Sequence, residues 1–252
     1  MGLVYAVANQ KGGVGKTTTS VNLAAGFASL GKKVLVIDLD QQANATVALG
    51  LSKDDRPSSY DVLAGRSTLE SAARKTSREG LSVVPGSRDL AGATVELPRL
   101  DEPNFQLSQR MGSVREDFDV VLLDCPPALG PVTVNALVAA DRVIVPVQAE
   151  YLALEGLVEF LGTLSAIRRE MNPSLELAGV VVTMHDERTR LAQDVERELR
   201  DHFSETVFKT VIPRTVRLAE APSYGVSVLD YAPASRGALA FQALTAELVD
   251  RG

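Results

Sequence analysis

The sequence predicts an α/β protein: a doubly wound, mainly parallel sheet with helices on both faces. Three observations carry that expectation. Apolar runs rich in Val, Ile and Leu recur at 3–8, 33–38, 82–85, 119–124, 142–147 and 177–183. Helical apolar periodicity falls between or after them, clearest at 17–30, 131–140, 152–171, 189–202 and 235–250. Most of the strand-like runs are continuously apolar rather than alternating, as suits strands buried on both faces of a parallel sheet. Ligands of such sheets gather at the carboxyl ends of the strands.

The first strand, Leu3-Val-Tyr-Ala-Val-Ala8, feeds Lys11-Gly-Gly-Val-Gly-Lys16-Thr-Thr18, and an apolar-periodic helix follows from Ser20 to Leu30. Strand, glycine-rich turn and helix form the context in which this motif cradles phosphate. Gly12, Gly13 and Gly15 let the backbone wrap closely, so that the N–H groups along Val14–Thr18 point at an anion, aided by the helix N-terminus. Lys16 places a point charge on the β- and γ-phosphates, and the Thr17 hydroxyl suits Mg²⁺. Gln10 occupies the position where the usual P-loop has its first glycine. Lys11 is a second ammonium beside one already committed to phosphate; it is either a solvated surface lysine or one compensated by a further anion.

The second strand ends in two carboxylates, Val34-Leu-Val-Ile-Asp38-Leu-Asp40. One of them caps the helix suggested by 44–49, or they serve the site, one orienting water and one near Mg²⁺. Val120-Val-Leu-Leu-Asp124 has the Walker B form, an acid at the end of a buried strand that holds Mg²⁺ directly or through water. Cys125-Pro-Pro127 then stops the strand, because proline lacks the ladder donor. Cys125 reads as a packing residue, and His185 and His202 as surface residues without metal spacing.

The chain of 252 residues carries no linker, repeat or low-complexity run, and reads as one domain over 1–252. The stretches Ser52–Ser59 and Pro98–Asn104 read as surface connections. A single cysteine excludes an intrachain disulfide framework and fits a reducing cytoplasm. Residues 1–10 lack a basic signal-peptide start, Ala6 stands where a myristoylation signal wants Ser or Thr, and no apolar run approaches the roughly 20 residues of a membrane span. The net charge of -6 gives no whole-molecule attraction to nucleic acid, while leaving room for a local basic patch.

Together these pieces resemble the ParA/Soj/MinD group of deviant Walker A P-loop ATPases over essentially the whole chain. The carriers are the 11–18 loop, Asp38-Leu-Asp40-Gln-Gln-Ala-Asn-Ala-Thr46, Asp124-Cys-Pro-Pro127, the 146–156 segment, Asp186-Glu-Arg-Thr189 and Ile212-Pro-Arg-Thr-Val-Arg-Leu-Ala-Glu-Ala-Pro222. The last three are similar to chromosome- and plasmid-partition ParA in particular. The resemblance implies ATP and Mg²⁺ as ligands and an ATP-dependent homodimer in which Lys11 reaches the partner's phosphates. It implies that Lys16 acts on the protomer's own phosphates and that Asp40 positions the attacking water. Asp38, Asp124 and Thr17 are the metal-side residues, while Pro213 and Arg214 line the adenine pocket. It further implies non-specific DNA binding through Arg188 and Arg217, a ParB-type partner that stimulates hydrolysis, and a cytoplasmic, nucleoid-associated protein that does not act on membrane. No N-terminal helix-turn-helix domain is expected. Gln41 departs from the pattern, since the family more often has proline there.

The basic patch is faint in the sequence itself: residues 184–217 hold seven Lys/Arg and seven Asp/Glu. Read without the resemblance, Arg188 and Arg217 belong to an ordinary solvated helix face. Three rival functions remain open. A MinD-like membrane-cycling ATPase would need a basic amphipathic C-terminal helix, whereas residues 238–252 are apolar-periodic and short of basic residues. The same nucleotide fold also serves enzymes acting on a second substrate, and nucleotide-switched positioning of another cargo shares every nucleotide motif.

Overall fold

The computed structural model describes residues 1–150 and 153–251. Seven strands form a single sheet: β1 (Leu3–Val7), β2 (Val34–Asp38), β3 (Arg74–Lys75), β4 (Leu81–Val84), β5 (Val120–Asp124), β6 (Arg142–Gln148) and β7 (Glu176–Thr183). Their order is β3-β4-β2-β5-β1-β6-β7, parallel throughout except for the β3–β4 edge. The helices are α1 (Lys16–Ser29), α2 (Asn44–Ala48), α3 (Ser59–Leu63), α4 (Leu69–Ala72), α5 (Leu90–Glu96), α6 (Val114–Asp117), α7 (Pro131–Ala139), α8 (Ala153–Glu170), α9 (Arg190–Phe203), α10 (Val216–Glu220), α11 (Val228–Tyr231) and α12 (Arg236–Asp250). Each expected strand and each of the five clearest helices is present, with ends within a residue or two. Leu152, the expected first residue of the helix observed as α8, lies outside the described residues, as does Tyr151 in the partition-like 146–156 segment.

Side-chain alternation divides the core into two layers. Val4, Ala6, Leu35, Ile37, Val121 and Leu123 face one cluster, filled by α7, α8 and α9. Tyr5, Val7, Val34, Val36, Val120 and Leu122 face the other, filled by α1, α2 and α12. Both layers are apolar, which is why the strands read as continuous apolar runs. Helix α12 crosses α1 closely at Gly26, where a Cβ would lie 2.1 Å from Thr245 Oγ1. Phe241 and Leu244 on α12 are fully buried, so this helix spends its apolar face on the core. Among the described residues no helix is long and apolar enough to cross a membrane.

Two register details place the site. β1 stops at Val7, opposite Asp124 on β5 and Ile144 on β6, and Asp38 on β2 stands beside Asp124. The loops leaving β1, β2 and β5 therefore emerge together from the middle of the sheet's carboxyl edge.

Candidate active site

The glycine loop is held in shape before any ligand arrives. Asn9, almost fully buried, donates from Nδ2 to the Pro146 carbonyl and accepts the Lys11 N–H on Oδ1. Thr183, at the end of β7, donates its hydroxyl to the Val14 carbonyl at 2.8 Å. Gly13 and Gly15 take φ of 75° and 89°, the left-handed region where a Cβ is costly. Gly15 is the N-cap of α1 and brings no side-chain cap, so the first-turn N–H groups of α1 remain for a ligand.

The two lysines of the loop diverge. Lys16 is 7% exposed, and its Nζ donates to the Lys11 carbonyl at 3.0 Å, closing the loop on itself. Burial pulls its pKa down, opposed by the charge of Asp124. The Lys11 side chain is 45% exposed, and its Nζ lies 3.6 Å from Glu150 Oε2, a loose pair. Gln10 donates to Thr163 Oγ1 on α8, so the missing first glycine of the usual motif serves here as a tether.

Asp124 accepts the Thr17 hydroxyl on Oδ2 and the Ser20 hydroxyl on Oδ1, both at 2.8 Å. Complete burial raises its pKa, and the charge of Asp38 raises it further against those two bonds. Asp38 is also completely buried and its pKa is raised by burial. Its oxygens are turned into α2: Oδ2 accepts the N–H and hydroxyl of Thr46, and Oδ1 accepts the Asp40 N–H. The helix-capping alternative is therefore the arrangement present at Asp38, which stands behind Asp124. The strand ends at Asp38, so Asp40 belongs to the turn that follows. Asp40 is 8% exposed, and its Oδ1 accepts the Gln42 N–H. Gln41 is exposed on the turn that follows.

Beside the loop lies a cavity of about 570 Å³, walled by Gly15, Thr18 and Thr19 on one side and by residues drawn from the 183–188 and 212–219 segments on the other. Pro213 and Arg214 line it, and so does Arg188. Arg217 does not, although its neighbours Val216 and Leu218 do. Both arginines are engaged within the chain: Arg188 with Asp186, and Arg217 with Glu220 at 2.9 Å. His185 departs from the surface reading. Its side chain is 11% exposed, Nε2 lies 3.1 Å from Glu196, and its backbone pairs with Ile212 and Arg214. His202 is exposed, as expected. Cys125 is fully buried and burial pushes its thiol pKa far up, which makes it a packing residue.

The residues present fit a magnesium nucleoside triphosphate. Thr19, fully buried, lines the cavity with a hydroxyl that has no hydrogen-bond partner among the described residues. Among the described residues no group of three or more His, Cys, Asp or Glu is placed to cage a metal ion. A hydroxyl, a carboxylate and phosphate oxygens are a donor set suited to Mg²⁺, which keeps waters and is seldom held by protein alone. Asn9, Thr19, Ser20 and Thr183 were not singled out in the sequence. Ser20 had a signal, since it lies one turn from Thr17 on the same face of α1.

Comparison with known proteins agrees with the site. The family described as "AAA domain" matches residues 2–177. A chromosome-partitioning ATPase Soj of Thermus thermophilus is 51% identical over 246 residues, covering 98% of this chain and 95% of that protein. The sporulation initiation inhibitor protein Soj of Bacillus subtilis is 45% identical over 253 residues and 100% of both chains. A solved structure described as cobyrinic acid a,c-diamide synthase of Mycobacterium smegmatis, with bound ADP and magnesium, superposes with a TM-score of 0.87 at 37% identity, covering 99% of this chain and 94% of its own. With identities of this size over whole chains, and with the loop, Asp40 and Asp124 assembled at one sheet edge, this chain belongs to the ParA/Soj/MinD family of P-loop ATPases.

Proposed function

We propose that this chain is an ATP-driven DNA-partition protein. With ATP and Mg²⁺ it forms a sandwich dimer, which binds DNA without sequence preference. A ParB-type partner stimulates hydrolysis and so releases it. The observation that carries the reading is the divergence of the two lysines: Lys16 is buried inside its own loop, while Lys11 is exposed and only loosely paired. An ammonium turned outward from a phosphate loop is placed for another molecule's phosphates, and the dimer supplies them. The partition name of the Thermus thermophilus Soj relative supports the same cargo.

In this reading Lys16 and the N–H groups of 12–18 bind the triphosphate, and Thr17 with Asp124 would hold Mg²⁺, which supplies charge neutralisation on the β- and γ-phosphates. Asp38 supports Asp124 and fixes α2. Asp40, its carboxylate oriented by the Gln42 N–H, orients the attacking water. The walls at Pro213 and Arg214 take the adenine. The protein would act in the cytoplasm, on the nucleoid. Cycling on a membrane is disfavoured because α12 buries its apolar face in the core. The synthase named for the Mycobacterium structure invites a reading with chemistry on a second substrate; the fully buried Cys125 disfavours only a thiol nucleophile there.

Arg188 and Arg217 separate DNA partition from positioning of another cargo. Reversing both, Arg188→Glu with Arg217→Glu, is expected to weaken ATP-dependent DNA binding more than tenfold and to flatten its salt dependence by roughly one log-log unit per lost phosphate contact. Filter binding across a salt series reads both. Unchanged affinity and slope, with nucleotide binding intact, would assign the switch to a different cargo.

A further inference from the structure

The cavity beside the phosphate loop holds one carboxylate among its lining residues, Asp186. Its remaining walls are largely apolar: Met184, Ile212, Pro213, Leu218 and Phe241. Met184, just past the end of β7, takes the left-handed region at φ 51°, turning the chain so that Asp186 comes to the cavity. The two walls are clamped together, His185 donating its N–H to the Ile212 carbonyl and accepting the Arg214 N–H on its own. Asp186 is therefore a fixed anion in the lining of a largely apolar cavity.

Arg188 already uses that anion. Asp186 Oδ1 accepts from the Arg188 backbone N–H at 3.1 Å and from Nε at 2.9 Å, while Oδ2 accepts from Nη2 at 2.8 Å. The Arg188 bonds, helped by the charge of Arg214, hold the Asp186 carboxyl ionised far below the usual carboxylate range. The Arg188 side chain is nonetheless 85% exposed, so only this pairing holds the guanidinium at the cavity mouth. A carboxylate accepts hydrogen bonds and repels carbonyl oxygens and lone pairs. The ligand group it selects is thus an N–H donor on the ring edge.

We infer that Asp186 reads the exocyclic amine of the bound purine, and that Arg188 competes with this amine for the same carboxylate. The competition links two sites. Nucleotide that engages Asp186 loosens Arg188, and any external phosphate that draws Arg188 away leaves Asp186 a stronger acceptor for the base; the linkage is reciprocal. Both halves rest on the proposed seat of the adenine at Pro213 and Arg214; the second half rests also on the partition reading, in which the external phosphate belongs to DNA.

The test compares ATP with purine riboside 5′-triphosphate, which has the same ring without the amine, in equilibrium binding to the full chain with Mg²⁺ and without DNA. Wild-type protein is expected to prefer ATP by roughly tenfold or more, the ratio for a hydrogen bond to a charged group. Asp186→Ala is expected to bring the two ligands to near equality. Asp186→Asn, which keeps the turn-forming acceptor for the Arg188 N–H, should fall between them. Arg188→Gln, with Asp186 intact, is expected to tighten ATP severalfold. The inference is overturned if Asp186→Ala keeps the wild-type preference or if Arg188→Gln leaves ATP affinity unchanged. DNA binding by Arg188→Gln, measured separately with ATP, reports on the partition reading alone, so the two fail independently.

Discussion

Asp40→Ala is expected to lower ATP turnover by about a hundredfold or more while leaving ATP affinity within a few fold, the signature of a group that acts on the attacking water rather than on binding. In the proposed reading phosphate binding comes from the loop N–H groups and Lys16, and the variant touches neither. Asp40 is held at the edge of that loop, 8% exposed, with its carboxylate oriented through the Gln42 N–H. Its α-carbon also belongs to a tight turn, where the Asp40 carbonyl accepts the Ala43 N–H, and that bond survives the substitution. Single-turnover release of phosphate, with retained nucleotide measured beside it, checks the expectation. Turnover at the wild-type rate would remove Asp40 from the chemistry.

Asp124→Asn should move two properties in opposite directions. Burial raises the Asp124 pKa, and Asp38 stands beside it as a second buried carboxylate. A carboxyl whose folded pKa lies above its unfolded value binds its proton more tightly when folded. Its contribution to stability is greatest in acid and is lost as pH rises from the ordinary carboxylate range toward neutrality. Asparagine does not titrate, and it can still pair with the Thr17 and Ser20 hydroxyls, each of which donates or accepts. The nucleotide-free variant is expected to be more stable than wild type by about 2 kcal/mol at pH 8 and by little at pH 4. Its Mg²⁺-dependent ATP binding should fall more than tenfold, because the metal-side carboxylate has lost its charge. Thermal unfolding at the two pH values with chelator present, followed by ATP titration with and without Mg²⁺, reads both. A stability gap that does not widen with pH would contradict the electrostatic account.

The main architecture was legible because β1, β2, β5, β6 and β7 are buried on both faces and so leave uninterrupted apolar runs. What escaped was short or local. β3 is two charged residues on an edge, paired antiparallel with β4, and an edge strand carries no apolar signature. Helices α3, α4, α5 and α6 are held by tertiary packing over four to seven residues, too few for a helical period to show. Within the site, the glycine loop and Asp124 were legible from residue type and from their place after a strand. Asp38 was not resolved, because a strand-end carboxylate serves equally as metal ligand or as helix cap until Thr46 is seen against it. Asn9 and Thr183 form ties between distant segments, and a hydroxyl or amide carries no mark in sequence of which carbonyl it will meet.

Lys11 joins the phosphate loop to the proposed dimer, and its role is the centre of the account. Light scattering on size-exclusion effluent, with Mg²⁺ and a slowly hydrolysed ATP analogue well above its affinity, tests it most directly. The 26.9 kDa wild-type chain is predicted to double its mass with the analogue and not without it, while Lys11→Ala binds the analogue and keeps the monomer mass. A wild-type chain that stays monomeric at saturation, or a Lys11→Ala chain that dimerises as readily as wild type, would contradict it.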